Sequence, residues 1–140
     1  MTVWIASDHA GVQLKSELIK SLPQFEWGDL GPMTTDSVDY PDYANLVAEK
    51  INARPSCFGI LICGSGQGMA MRANKYPQVR AALVWNEEIA RLSRGHNNAN
   101  ILCLGARMTS LVQAKKWTEI FLTTPFEEGR HRQRVTKINC

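Results

Sequence analysis

The chain has 140 residues, 44% of them hydrophobic and 21% charged, with 16 lysines and arginines against 13 aspartates and glutamates. A chain of this size and composition can build a core without disulfide or metal staples, so one domain spanning residues 1–140 is expected, and collagen, coiled coil and disorder are excluded. No run approaches the roughly 18 apolar residues of a membrane span and the N-terminus lacks a basic-then-apolar leader, so the expected location is cytoplasmic, with no membrane contact.

Charge is unevenly spread. Residues 1–70 carry four basic and eight acidic side chains and residues 71–140 carry twelve and five, giving −4 and +7. Only three or four of these charges cluster, at the very end, a pattern that suits a small anionic ligand at least as well as nucleic acid. Cys57, Cys63, Cys103 and Cys140 form no C-x-x-C pair, which argues against a zinc or redox dithiol site and for free thiols.

In chain order, Val3 to Ala6 is a short, nearly continuous apolar run, as expected of a strand buried on both faces. Leu14, Leu18 and Leu22 follow at helical spacing, Phe25 to Trp27 is a weaker strand candidate, and Tyr43, Val47 and Ile51 mark the next amphipathic helix. Phe58 to Ile62 is a second buried strand, with a helix at Gly68 to Asn74. Ala81 to Val84 and Ile101 to Leu104 are two more strands, separated by a helix at Glu87 to Arg94. Helices at Leu111 to Leu122 and, strongly basic, at roughly Glu127 to Lys137 close the chain. Such alternation predicts a parallel sheet covered by helices on both faces, with ligands bound at the carboxyl ends of the strands.

The unusual residues fall at those ends. Asp8-His9 follows the first strand, and Cys63-Gly64-Ser65-Gly66-Gln67-Gly68 follows Phe58 to Ile62. This G-x-G-x-G is neither the dinucleotide fingerprint nor a Walker loop. It is either a tight turn or a strand-loop-helix junction whose backbone N–H groups converge on an anion or a developing oxyanion. Cys63 stands at its lip. A lone cysteine is usually an inert buried hydrophobe, but beside a helix N-terminus the thiolate is favoured and can serve as base or nucleophile. Cys57, Cys103 and Cys140 lack such surroundings and read as structural.

His9, His96 and His131 all sit in polar stretches and, taken singly, read as exposed. His9 and His96 are the better candidates for moving a proton near neutral pH. Asp8 could orient a ligand hydroxyl or merely cap a helix. Arg130, Arg134 and Lys137 share one helical face, and paired arginines suit phosphate, although a charge run is most often only a solvated face. Stacking aromatics for a nucleic acid are missing from this stretch.

Six segments together, Ser7-Asp8-His9-Ala10-Gly11, Asp39-Tyr40-Pro41-Asp42-Tyr43-Ala44, Gly59 to Gly66, Ala73-Asn74-Lys75, Leu92 to Asn97 and Gly129 to Arg134, resemble the type B ribose-5-phosphate isomerases. That family also includes galactose-6-phosphate and allose-6-phosphate isomerases. The resemblance covers nearly the whole chain in the same order. It implies a Rossmann-like three-layer α/β/α domain with a five-stranded parallel sheet and a C-terminal helix. It also implies an aldose-ketose isomerase working without metal or redox cofactor, and a homodimer or dimer of dimers with the active site where two subunits meet.

By the same resemblance, Cys63 is the base that moves a proton between C1 and C2, and His96 helps open the sugar ring. Asp8 contributes to ring opening and hydroxyl binding, with Ser65 in support, and Tyr40 lines the sugar. Gly64, Ser65, Gly66, Gln67 and Gly68 hold the enediolate oxygen, with Asn97 nearby. His9, Arg107, Arg130 and Arg134 surround the phosphate, some from the neighbouring subunit. One branch of the family uses instead a glutamate just beyond the glycine loop; Met69 stands there, so this chain groups with the cysteine users. The expected substrate pair is ribose 5-phosphate and ribulose 5-phosphate. A six-carbon sugar phosphate and a non-catalytic phosphosugar-binding regulator are the alternatives, and a nucleic-acid module fits least.

Overall fold

The computed structural model describes residues 1–138. Five strands, β1 (Thr2–Ser7), β2 (Glu26–Asp29), β3 (Phe58–Cys63), β4 (Ala81–Leu83) and β5 (Ile101–Gly105), form one parallel sheet in the order β2-β1-β3-β5-β4. The central strands read as unbroken apolar runs because both faces are covered: Ile60, Leu61, Ile62, Ile101, Leu102, Cys103 and Leu104 are completely buried. Leu14 and Leu18 of α1 (Val12–Ser21), Ala90 of α4 (Glu87–Gly95) and Ala114, Trp117 and Phe121 of α5 (Leu111–Thr123) pack on one face. Ala44, Val47, Ala48 and Ile51 of α2 (Tyr40–Ala53) and Met69 and Ala73 of α3 (Gln67–Ala73) pack on the other. A three-layer α/β/α domain with a five-stranded parallel sheet is therefore what forms.

Connections moving toward β2 or back from β4 use the first face, and those moving the other way use the second, the pattern that one crossover handedness produces. The chain leaves β1 in one direction along the sheet and leaves β3 in the other. The gap between the carboxyl ends of β1 and β3 is thus the topological switch point, where open α/β sheets place ligands.

Two boundaries differ from the sequence pattern. The edge strand β2 lies later than Phe25 to Trp27 because its pairing is set by β1, with Val3 opposite Trp27 and Ile5 opposite Asp29. The basic helix α6 (Arg130–Ile138) starts three residues after Glu127 because Glu128 and Gly129 take left-handed backbone, at φ 61° and 52°. No side chain of α6 is buried. Among the described residues no helix is long and apolar enough to cross a membrane.

Candidate active site

At the carboxyl edge, the backbone brings Asp8 and Cys63 to adjacent strand ends, the Asp8 N–H donating to Ile62 O at 3.0 Å. Asp8 is buried, and one carboxylate oxygen accepts from Ala10 N at 2.9 Å, capping the short 3-10 turn His9–Gly11. Capping and ligand orientation are thus compatible uses of one side chain. His9 Nδ1 accepts from the Val38 N–H at 3.2 Å. That bond requires a lone pair on Nδ1, so the neutral ring carries its proton on Nε2 and offers a donor there.

Cys63 is 5% exposed, and its Sγ accepts from the Gly66 N–H at 3.1 Å, so the sulfur already occupies an acceptor's place inside the loop. Gly66 is at φ +79°, where a Cβ would stand 2.6 Å from Leu83 Cδ1; only glycine closes this turn. Ser65 Oγ accepts from Gln67 N at 3.3 Å and steadies the loop. The remaining glycines admit close neighbours. The Arg107 guanidinium lies against Gly64, 3.2 Å from where a Cβ would be, and the Tyr40 ring occupies the space a side chain at Gly68 would need. Ala106 N to Cys63 O at 2.8 Å and Arg107 N to Gly64 O at 3.1 Å fix the chain after β5 beside the loop. Asp8, His9, Tyr40, Cys63 to Gly68 and Arg107 therefore gather around one edge.

His96, Asn97, Arg130 and Arg134 do not join them within one chain. α4 begins at the carboxyl edge and returns the chain to the amino-terminal edge before β5, so His96, its C-cap, lies at the foot of the sheet. Contacts confirm the placement: Arg94 sits 4.7 Å over the ring of Phe58, the first residue of β3, and Asn100 Nδ2 donates to Pro55 O and Gln78 O, before β3 and β4. The six residues of β3 separate the two edges by about 17 Å. His96 Nε2 is 3.5 Å from Glu127 Oε2, and its ring stacks on His131 at 4.1 Å, so α6 with Arg130 and Arg134 starts from the same edge.

None of the three histidines is a freely exposed ring, and each has a partner that only the fold supplies. Glu127 carried no sequence signal, being one acid in a polar loop; the glycine before His96 is the single local hint. Cys57 and Cys103 are free, buried thiols, and burial, with Cys63 nearby, pushes the Cys103 thiol up, away from reactivity. Cys140 lies outside the described residues. Met69 is fully buried in the core and accepts no proton.

Known proteins match this chain over nearly its whole length. The family model for ribose/galactose isomerases matches residues 3–138. A probable ribose-5-phosphate isomerase B of Mycoplasma pneumoniae is 48% identical over 97% of this chain and 91% of its own length. The crystal structure of a ribose 5-phosphate isomerase from Thermotoga maritima superposes with a TM-score of 0.95 at 45% identity, covering 99% of this chain and 97% of that one. Ribose-5-phosphate isomerase B of Mycoplasma genitalium, solved with bound ribulose 5-phosphate, gives a TM-score of 0.95 at 45% identity, covering 99% of this chain and 93% of that one. With the family model and the relatives' folds matching over almost the whole length, the chain belongs to the ribose/galactose isomerase family of aldose-ketose isomerases.

Proposed function

We propose that the protein interconverts ribose 5-phosphate and ribulose 5-phosphate, a step of pentose phosphate metabolism in the cytoplasm, through a cis-enediolate and without a cofactor. Cys63 takes the hydrogen of C2 as a proton and returns it to C1, while a second proton passes between O2 and O1. Such a reaction needs a base beside the carbon and donors aimed at the oxygen that becomes negative. A thiol in acceptor position within a loop of closely approachable backbone is the observation that carries the reading. Asp8, Tyr40 and Ser65 contact the sugar, His9 and Arg107 meet the phosphate, and His96 opens the ring.

The two edges of one chain each hold half of this set. We infer a homodimer in which the carboxyl edge of one copy faces the amino-terminal edge of the other, so that His96, Asn97, Arg130 and Arg134 complete the partner's site. Trp85 and Met108, 61% and 71% exposed, support this, because they flank the glycine loop as apolar surface that a second subunit would cover. A dimer of dimers is the larger assembly compatible with it.

The test is the rate of ribulose 5-phosphate formation, without added metal, by the wild type and by Cys63→Ala, beside turnover of allose 6-phosphate. Activity on the pentose lost in the variant is expected, by about 10²–10⁴-fold. A large preference for the hexose would change the substrate, and binding without any turnover would make the protein a phosphosugar sensor.

A further inference from the structure

At the amino-terminal edge, Glu127 Oε2, His96 Nε2 and the His131 ring meet, their ligand-type atoms within 4.8 Å of one another. The two imidazoles are stacked, 15° apart in plane. A cation bound to both would therefore sit out of the plane of at least one, where no lone pair points. The cluster is built to orient a ring.

Glu127 is held there by the backbone. Its N–H donates to Gly95 O at 2.9 Å, and Arg94 Nε donates to Thr124 O at 3.3 Å, fastening the segment after α5 to the last turn of α4. A Cβ at Gly95 would collide with Glu127 Oε2, so the carboxylate approaches across the surface that the glycine leaves bare. The left-handed residues Glu128 and Gly129 then turn the chain so that His131 lies over His96.

We propose that Glu127 is a positioning residue for the isomerisation: it holds His96 in the Nε2–H tautomer, leaving Nδ1 to move the proton when the sugar ring opens, with His131 fixing the plane of the ring. The inference rests on the ring-opening role given to His96 above. A carboxylate only accepts, so a neutral imidazole facing it carries its proton on Nε2 and keeps its lone pair on Nδ1. In ring opening, Nδ1 takes the proton of the C1 hydroxyl as the C1–O4 bond breaks and the C1=O1 bond forms. The imidazolium then returns that proton to O4, so protons and charge balance. Glu127, Arg130 and Arg134 are charged groups that act on His131. His131 is held below the usual histidine value, first by lost hydration and then by His96 and Arg130.

The experiment is two-bond nitrogen-proton correlation on protein labelled with ¹⁵N-histidine, the His96 signals being those lost in His96→Asn, together with steady-state kinetics. The Glu127 side chain is 57% exposed, so Glu127→Met keeps the fold. The wild type should show His96 mainly as the Nε2–H tautomer and Glu127→Met a mixture. In that variant kcat should fall about 10-fold, less than the roughly 10²–10⁴-fold of a group that itself transfers the proton, because Glu127 acts through His96 and the pair is half-exposed, with KM within about twofold. Glu127→Asp should recover most of both. A role in stability alone would leave tautomer and kcat unmoved. An Nδ1–H tautomer in the wild type, or unchanged tautomer and kcat in Glu127→Met, overturns the proposal. A fully active His96→Asn enzyme would instead refute the ring-opening role, and the two failures are distinguishable because the tautomer is read without turnover.

Discussion

Two dead variants of this enzyme should revive each other when mixed. Cys63 closes β3 at the carboxyl edge and His96 caps α4 at the amino-terminal edge, about 17 Å of strand apart, so no rearrangement of side chains brings them together within one chain. In the proposed two-fold dimer each of the two sites would take Cys63 from one copy and His96 from the other. Equimolar Cys63→Ala and His96→Asn chains, unfolded together and refolded, give about half heterodimers, each with one doubly defective site and one intact site, and so about 25% of wild-type activity per chain. The assay is ribulose 5-phosphate formation against each variant refolded alone. His96→Asn mixed with Arg134→Ala is the control, because both defects lie on the same edge, so no arrangement yields an intact site and the activity stays at the mean of the two variants refolded apart. Activity that stays at the single-variant floor, with co-purification of differently tagged chains proving association, would refute the shared site.

Arg134→Ala should raise KM about tenfold or more with kcat nearly unchanged, because a phosphate held alike in ground and transition states contributes uniform binding; steady-state kinetics decide it. Gly66→Ala should destabilise the fold by about 2–3 kcal/mol in urea titration and cut kcat, since its φ of +79° and the Leu83 and Leu104 contacts leave no place for a methyl group. Lys15 is 2% exposed and its Nζ lies 2.7 Å from Asp29 Oδ1, which also accepts from Gly31 N. Lys15→Met should cost about 2–3 kcal/mol, less than a fully buried pair because Asp29 is 25% exposed. It should also raise KM by loosening the segment whose Val38 N–H holds His9; an unchanged KM would uncouple the two.

Elements buried on both faces were legible in the sequence because nothing about them depends on partners: β3 and β5 are continuous apolar runs whatever lies beside them. β2 was not, since an edge strand with one covered side takes its register from β1. The glycine loop with Cys63, and Asp8 and His9 after β1, were legible from the rule that ligands bind at strand ends. The separation of the candidate residues onto two edges was hidden for a different reason. Spacing along the chain does not state that α4 carries His96 back to the opposite edge; strand order and chain direction do. The partners of His9 and His96, at Val38 and Glu127, are 29 and 31 residues distant in sequence, and no local pattern marks either.

Helix α6 has nine residues and buries none of them, yet an isolated helix needs about 12–15 residues to persist in water. Its order must come largely from whatever it lies against. Dissociation of the proposed dimer would then do more than withdraw Arg130 and Arg134 from the neighbouring site. It would leave them on a segment that unwinds, so that reassembly must recover chain entropy before the phosphate is held again, and the backbone amides of α6 would exchange with solvent as the protein is diluted while those of β3 and β5 stay protected.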